Sequence, residues 1–572
     1  MRPVAYPLIA AAALFLTAAK PPEKPSPEER PITFRMHPVA EPDGTRTLQV
    51  EMRFRGDSDG ETALFLPSEW AGSDELWRHV EKLEIRGARK LGGTYDAPII
   101  THRPGAKLKV RYKIVSAWQE DPGFAYEKAR PMVRPDWFFV HGETFMASVG
   151  GREAAPAKFR WGKIPKGWTV ASDLDHLINE PSTLANLINS VAIGGTGLRV
   201  VKRDVGGAPL TVAVAGEWSF TPEALTDMIA PIVAAEDAFW GDRSTPFFVA
   251  MAPLGTLPAG LTYTGTGRTD GFSVASTSAF DLKIARRFLA HEYMHSWVPN
   301  MMGTLPEEAE AQDYWFSEGF TDYLATKVLL RSGQWTLEEW VADKNETLLR
   351  YGTSPAKTVT GEDIAVRFWV DQAVQQVSYD RGHLLAARLD AEIAARSGGR
   401  QSLDDVLRAQ RPLAEGNEKR ATDLFRATLL DKTGIDVAPD IEKHARRGEA
   451  IVLAADLLGD CARIVPVSRK EFHRGYDAAT TRVNGGVISG VVEGTNAHVA
   501  GLRNGQRLVN REAGKMGDST VEIAYRVSDD GGEKVVRYMP EGKGTFEVQQ
   551  LVLTAPTPEA QARCKARLGG GA

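Results

Sequence analysis

Cysteine is nearly absent: Cys461 and Cys564 are the only two in 572 residues. Neither has the Cys-x-x-Cys neighbour that a thiolate metal site or a redox pair requires. After the first twenty residues no apolar run is long enough to cross a bilayer as a helix. Neither charge sign prevails. The 69 Lys and Arg against 74 Asp and Glu leave a net charge of −5, with acids and bases interspersed and no basic footprint for nucleic acid. Internal repeats and low-complexity tracts are also missing, which argues against a solenoid or a disordered array. What is present, 43% hydrophobic and 25% charged, is ordinary core-forming material, and the length suits three or four domains.

Histidine is scarce too, at eleven, yet two of them stand four apart in His291-Glu292-Tyr293-Met294-His295. On a helix that spacing stacks both imidazoles on one face, where they can converge on one zinc ion, Zn2+, per chain. Glu292, beside the first histidine, is placed as general base for a water held there. The bland alternative is a helix with two partly exposed histidines. Phe280, Leu282, Ile284, Ala285, Phe288 and Leu289 weigh against it, because their helical spacing predicts a buried helix in which such groups need a partner. The third ligand is expected to be Glu318, within the helix-compatible stretch from Tyr314 to Leu330. Asp322, one turn further, is placed to accept the spare N–H of one histidine. Without the upstream motif, Glu318 reads as a carboxylate favoured by a helix N-terminus.

HEYMHSW followed by WFSEGFTDY resembles the gluzincin metallopeptidases, and within them most closely the glycyl aminopeptidase family. The resemblance covers most of the chain from about residue 33 and is strongest between 285 and 395. It implies peptide hydrolysis on zinc and a multidomain α+β fold: a β-sandwich-like N-terminal domain, a thermolysin-like, mostly α catalytic domain and a PDZ-like β domain. Tyr379-Asp380-Arg381-Gly382 is similar to the segment whose tyrosine steadies the oxyanion in the aminopeptidase N group, which makes Tyr379 the expected electrophile. Its alternative is a tyrosine packed in the core at a helix start. Arg381 replaces the usual lysine. The segment that grips a substrate's free amine in those enzymes corresponds to Ala259-Gly260-Leu261-Thr262-Tyr263, with threonine in place of the glutamate. Gly260, Leu261 and Thr262 are thus expected to contact substrate, but without the counter-charge for an ammonium. Exo- and endopeptidase action both stay open.

Met1-Arg2, the apolar Val4 to Leu16 and the small residues Thr17-Ala18-Ala19 predict a signal peptide over 1–19, with a retained anchor as the alternative. A Pro-rich linker is expected over 20–31, a β-rich domain over 32–215, the catalytic domain over 216–455 and the PDZ-like domain over 456–572. Period-two stretches such as Thr47 to Phe54 and Lys107 to Ile114 carry the β assignment. Trp137-Phe138-Phe139-Val140 reads as core or as a cleft lining. Gly485 to Val491 and Gly494 to Val509 look like a bacterial PDZ domain, with Gln506 where Asp is usual. Such a domain binds a C-terminal peptide or packs against its neighbour. The chain is expected in the periplasm or outside the cell, with no membrane span after signal cleavage, and there a disulfide between Cys461 and Cys564 would staple the last module. Peptide or protein is the expected substrate. Two rivals use the same residues: an inactive peptidase body that binds peptides through its PDZ domain, and a hydrolase of non-peptide bonds.

Overall fold

Alternation becomes strand wherever one face finds a core. Arg46–Arg55 turns Leu48, Val50, Met52 and Phe54 inward and Gln49, Glu51 and Arg53 outward. It pairs antiparallel with Ile32–Ala40 on one side and Lys107–Ile114 on the other, at the centre of a six-stranded sheet. Two four-stranded sheets complete this N-terminal region, and Phe138, Phe139 and Val140 are buried within it as core. The computed structural model describes residues 26–120, 122, 130–178, 182–241, 246–255, 261–268, 270–306 and 308–569. The expected signal peptide and Gly260 lie outside the described residues.

The next sheet has five strands in the spatial order Arg199–Val205, Ala208–Val214, Phe247–Pro253, Gly271–Ser276, Tyr263–Arg268. Ala208–Val214 and Phe247–Pro253 are parallel neighbours, so the boundary expected between 215 and 216 falls inside a hydrogen-bonded sheet. The reason is visible in the burial. Val212 and Val214 pack into the helical core and Ala213 into a cluster with Phe139, Val191 and Ile193 of the N-terminal region, so the strand is covered on both faces. Tyr263–Arg268 is the outer strand. Its far end is clamped to the N-terminal region by Arg268, which donates to both oxygens of Glu143 at 2.7 and 2.8 Å.

Helices α1 (Pro222–Trp240) and α2 (Leu282–Met294) cover one side of this sheet. Asp281 caps α2 by accepting from the Ile284 N–H. There follow α3 (Gly319–Arg331), α4 (Leu337–Thr353), α5 (Gln372–Ser397) and α6 (Leu403–Ala414). The core of α3 is tied by charge: Lys327 donates to Asp390 of α5 at 2.6 Å and to Asp404 of α6 at 2.7 Å, all three buried. Removing one member of such a buried set costs about 3–5 kcal/mol, because its partners are left uncompensated.

The C-terminal module has its own core around Tyr476, Ile488, Leu508, Ile523, Tyr525 and Tyr538. Three of its strands, Arg507–Ala513, Ile523–Asp529 and Gly532–Tyr538, form one sheet, while Ala462–Phe472 and Glu541–Leu553 form a long ribbon. Gln506 is buried and bonded to Asp529 and to the Arg503 N–H. The chain ends in α7 (Pro558–Leu568), and its Cys564 is joined to Cys461 with a Cα–Cα distance of 5.5 Å. The bond closes a loop of 103 residues. Cross-linking a loop of that length restricts the unfolded chain by roughly 4–5 kcal/mol. Replacing both cysteines by serine should therefore lower stability by about 2–5 kcal/mol, read as an earlier urea transition, and since both cysteines pack into the same core as α3–α5 that core should loosen with them.

Candidate active site

The site forms where three helices meet, and glycine lets them meet closely. A Cβ on Gly319 would lie 2.3 Å from the Gly382 Cα, and one on Gly382 would lie 1.9 Å from the Trp315 carbonyl oxygen. No side chain fits there, so α3 and α5 cross at backbone contact. Gly382 therefore does not begin a helix, as the sequence suggested. The helix starts at Gln372, capped by Asp371, and Tyr379 sits inside it. Glu318 occupies the joint between the short turn Tyr314–Ser317 and α3, still at φ −96° and ψ −47°.

At this crossing the two histidines of α2 face Glu318. The Nε2 of His291 is 3.2 Å and the Nε2 of His295 is 3.5 Å from Glu318 Oε2. All three donor atoms lie within 4.8 Å of one another. Zinc bonds of about 2.0–2.1 Å in a tetrahedron would put donors roughly 3.3 Å apart. The far nitrogens are also engaged. Nδ1 of His295 is 2.8 Å from the Val298 carbonyl oxygen, to which it donates, and Nδ1 of His291 is 3.5 Å from Asp322 Oδ1. Both rings thus turn Nε2 toward the same point. His291, His295 and Glu318 have the donor set, spacing and orientation that zinc accepts.

The charge balance points the same way. Burial opposes a charged His291, but Asp322 and Glu318 outweigh it and its pKa is raised to about 10. Burial pushes Glu318 up, yet the two imidazoles hold its carboxyl well below the usual carboxylate range. The cluster thus favours positive charge facing these carboxylates. Burial, then Glu318 and Glu292, raise Tyr379 well above an ordinary phenol, and its ring lies 5.7 Å from that of His291. Glu292 is half-buried and close enough to act on His291, His295, Tyr379 and Tyr263.

Leu261 and Thr262 lead into the outer strand, where Thr262 is tied by its backbone to Thr277. Gly265 of that strand receives the Phe288 ring of α2, since a Cβ there would fall 2.2 Å from Phe288 Cζ. The strand therefore lies against α2, the helix of His291 and His295. Arg381 is buried and turned away, donating to the carbonyls of Val359 and Lys357 at 2.7 and 3.2 Å. Sequence reasoning missed Arg287, His383 and Lys344. Arg287 donates to Asp322 at 2.8 Å and to Asp343 at 2.7 Å. His383 stands one helical turn beyond Tyr379, a spacing that could have singled it out.

Residues 285–385 match the family model described as M61 glycyl aminopeptidase, which bears out the resemblance read from the motif. No curated protein matches the chain. Among solved structures, an aminopeptidase N family protein from Idiomarina loihiensis shares the fold, with a TM-score of 0.67 at 15% identity over 94% of this chain and 100% of its own. A mutant M1 zinc metallopeptidase from Deinococcus radiodurans, bound to a Tyr-Ser-Ala substrate, matches with a TM-score of 0.47 at 16% identity over 74% of this chain and 96% of its own.

The carboxylates facing His291 and His295 favour their charged forms, and an imidazole binds zinc only as the neutral ring, so zinc binding should release protons. Titration calorimetry at pH 8 in buffers of different ionisation enthalpy should show that release. The apparent affinity should weaken about tenfold per pH unit on acidification for each proton displaced.

Proposed function

We propose that this chain is a zinc-dependent metallopeptidase that holds one zinc ion on His291, His295 and Glu318. The observation that carries the reading is the convergence of their three donor atoms within 4.8 Å, with Glu292 beside them. Bound there, zinc would polarise a scissile carbonyl and acidify a water molecule. Glu292 takes the proton of the attacking water and passes it to the leaving amine. Tyr379, whose hydroxyl stays protonated, donates to the carbonyl oxygen as that atom gains charge. An extended peptide adds to the free edge of Tyr263–Arg268, which leads its backbone past α2.

Thr262 governs the choice between ends and middles. Without a carboxylate at this position a substrate's ammonium has no counter-charge there, so blocking the amine should cost the enzyme little. The C-terminal module fits a PDZ-like domain that takes a peptide C-terminus, and the disulfide supports export to the periplasm or beyond. Among the described residues no helix is long and apolar enough to cross a membrane. A peptide-binding scaffold on an idle peptidase body is the second reading, favoured by Thr262.

Three measurements test this. Glu292→Gln should keep zinc bound while hydrolysis of a peptide library falls about 10²–10⁴-fold. Tyr379→Phe should lower kcat by about 10²–10³-fold with little change in KM. Free and N-terminally acetylated peptides should be cleaved at similar kcat/KM. Strict dependence on the free amine would restore an exopeptidase, and zinc binding without any cleavage would leave the scaffold.

A further inference from the structure

Behind the metal ligands lies a chain of buried polar groups that the proposed reaction does not use. Asp322 of α3 is its hub. Its Oδ2 accepts from Arg287 Nη2 at 2.8 Å and from His383 Nδ1 at 2.9 Å, and its Oδ1 faces His291 Nδ1. Behind His383, the Lys344 Nζ of α4, its pKa lowered to about 7 by burial, lies 2.6 Å from Nε2 and 2.6 Å from Thr326 Oγ1. His383 is wholly enclosed, and Asp322 and Lys344 nearly so.

Resting on the metal-centre reading above, we propose that His383 and Lys344 are positioning residues for the ligand His291, acting through Asp322. The direction of every hydrogen in the chain is fixed by elementary chemistry. An ionised carboxylate only accepts, so His383 must present Nδ1–H to Asp322. A neutral imidazole with hydrogen on Nδ1 has a lone pair on Nε2, and Lys344 donates to it. Burial and the neighbouring Lys344 keep His383 neutral, with a pKa lowered to about 4. With Oδ2 committed to two donors, Oδ1 is the oxygen left for His291 Nδ1–H. That sets the tautomer whose Nε2 faces Glu318 and the metal position.

A purely structural explanation leaves Lys344 unaccounted for. Its amine is buried without a carboxylate in hydrogen-bond contact, between the rings of Trp340 and Tyr323 at 5.1 and 5.3 Å. Methionine would fill that space without the cost of burying an amine. What methionine cannot do is donate to His383.

The test is zinc affinity, measured by chelator competition on the intact protein at fixed pH, with the melting of each metal-free variant as a folding control. His383→Leu should bind zinc about 10–100-fold more weakly than wild type. His383→Asn retains an N–H near the Nδ1 position and should recover most of that loss. Lys344→Met should loosen zinc in the same direction, and the absorption bands of the cobalt-loaded variant should shift as His291 loses its fixed orientation. Unchanged zinc affinity in His383→Leu and Lys344→Met would overturn the proposal. So would an equal loss in His383→Asn and His383→Leu, which would make the position one of packing alone. If His383→Leu does not fold, the Lys344→Met and His383→Asn comparison decides. Wild-type protein that fails to bind zinc would defeat the metal-centre reading itself, an outcome distinct from variants that bind it as wild type does.

Discussion

The contact between Gly319 and Gly382 sets the scale of the whole site. Two helices that carry any side chain at their crossing stand about 8–10 Å apart, whereas here the Cα of one glycine fills the place of the other's Cβ. Glu318 lies one residue before the contact on one chain segment and Tyr379 three before it on the other. Both are thereby brought within reach of the His291 ring. An alanine at either glycine would not merely crowd the core; it would move a ligand and a proposed oxyanion donor away from each other. The geometry of the His291, His295 and Glu318 cluster is thus a consequence of backbone approach before it is one of side-chain chemistry.

Around that contact the charges are layered. Innermost are two imidazoles and a carboxylate that share a space fit for a dication. Next is Asp322, buried among Arg287, His383 and His291. Farther out, Arg350 holds the Asp380 carboxylate through both oxygens at 3.0 Å, next to Tyr379 in sequence. Asp322 and Asp380 each have a cation or donor, as a charge must in a low-dielectric interior. Glu236 of α1 stands apart, fully buried with neither oxygen in a hydrogen bond, and its carboxyl is pushed well above the usual range by burial and by Asp237. Such a group persists by staying protonated.

The His-Glu-x-x-His motif with Glu318 and Asp322 was legible in the sequence because i, i+4 spacing places side chains on one face whatever the tertiary context. The proposed role of Tyr379 came from the family resemblance alone, since nothing local distinguishes a tyrosine that donates from one that packs. Its helix was misplaced because Gly382 reads as a boundary in one dimension, while in three it is a contact. The sheet crossing residue 215 was missed for a related reason. Val212, Ala213 and Val214 do not say from sequence which sheet will cover them, and parallel pairing with Phe247–Pro253 joins segments more than thirty residues apart. His383 carried only its spacing from Tyr379 as a signal and Lys344 none, because their partners lie on other helices.

The C-terminal module belongs to this framework and is no appendage to it. Asn345, next to Lys344 on α4, exchanges two hydrogen bonds with Leu551 of the terminal ribbon, at 2.9 and 2.6 Å. About two turns later, Gly352 lies against Val548, with space for no Cβ. The helix that delivers Lys344 to His383 and Arg350 to Asp380 is therefore held from outside by the strand Glu541–Leu553. The disulfide acts on the other flank, fastening α7, which packs on α3, the helix of Asp322. Two of the three helices behind the metal position take their outer support from residues beyond 455. A catalytic unit cut at that residue would keep every proposed ligand and lose what holds the groups behind them in place.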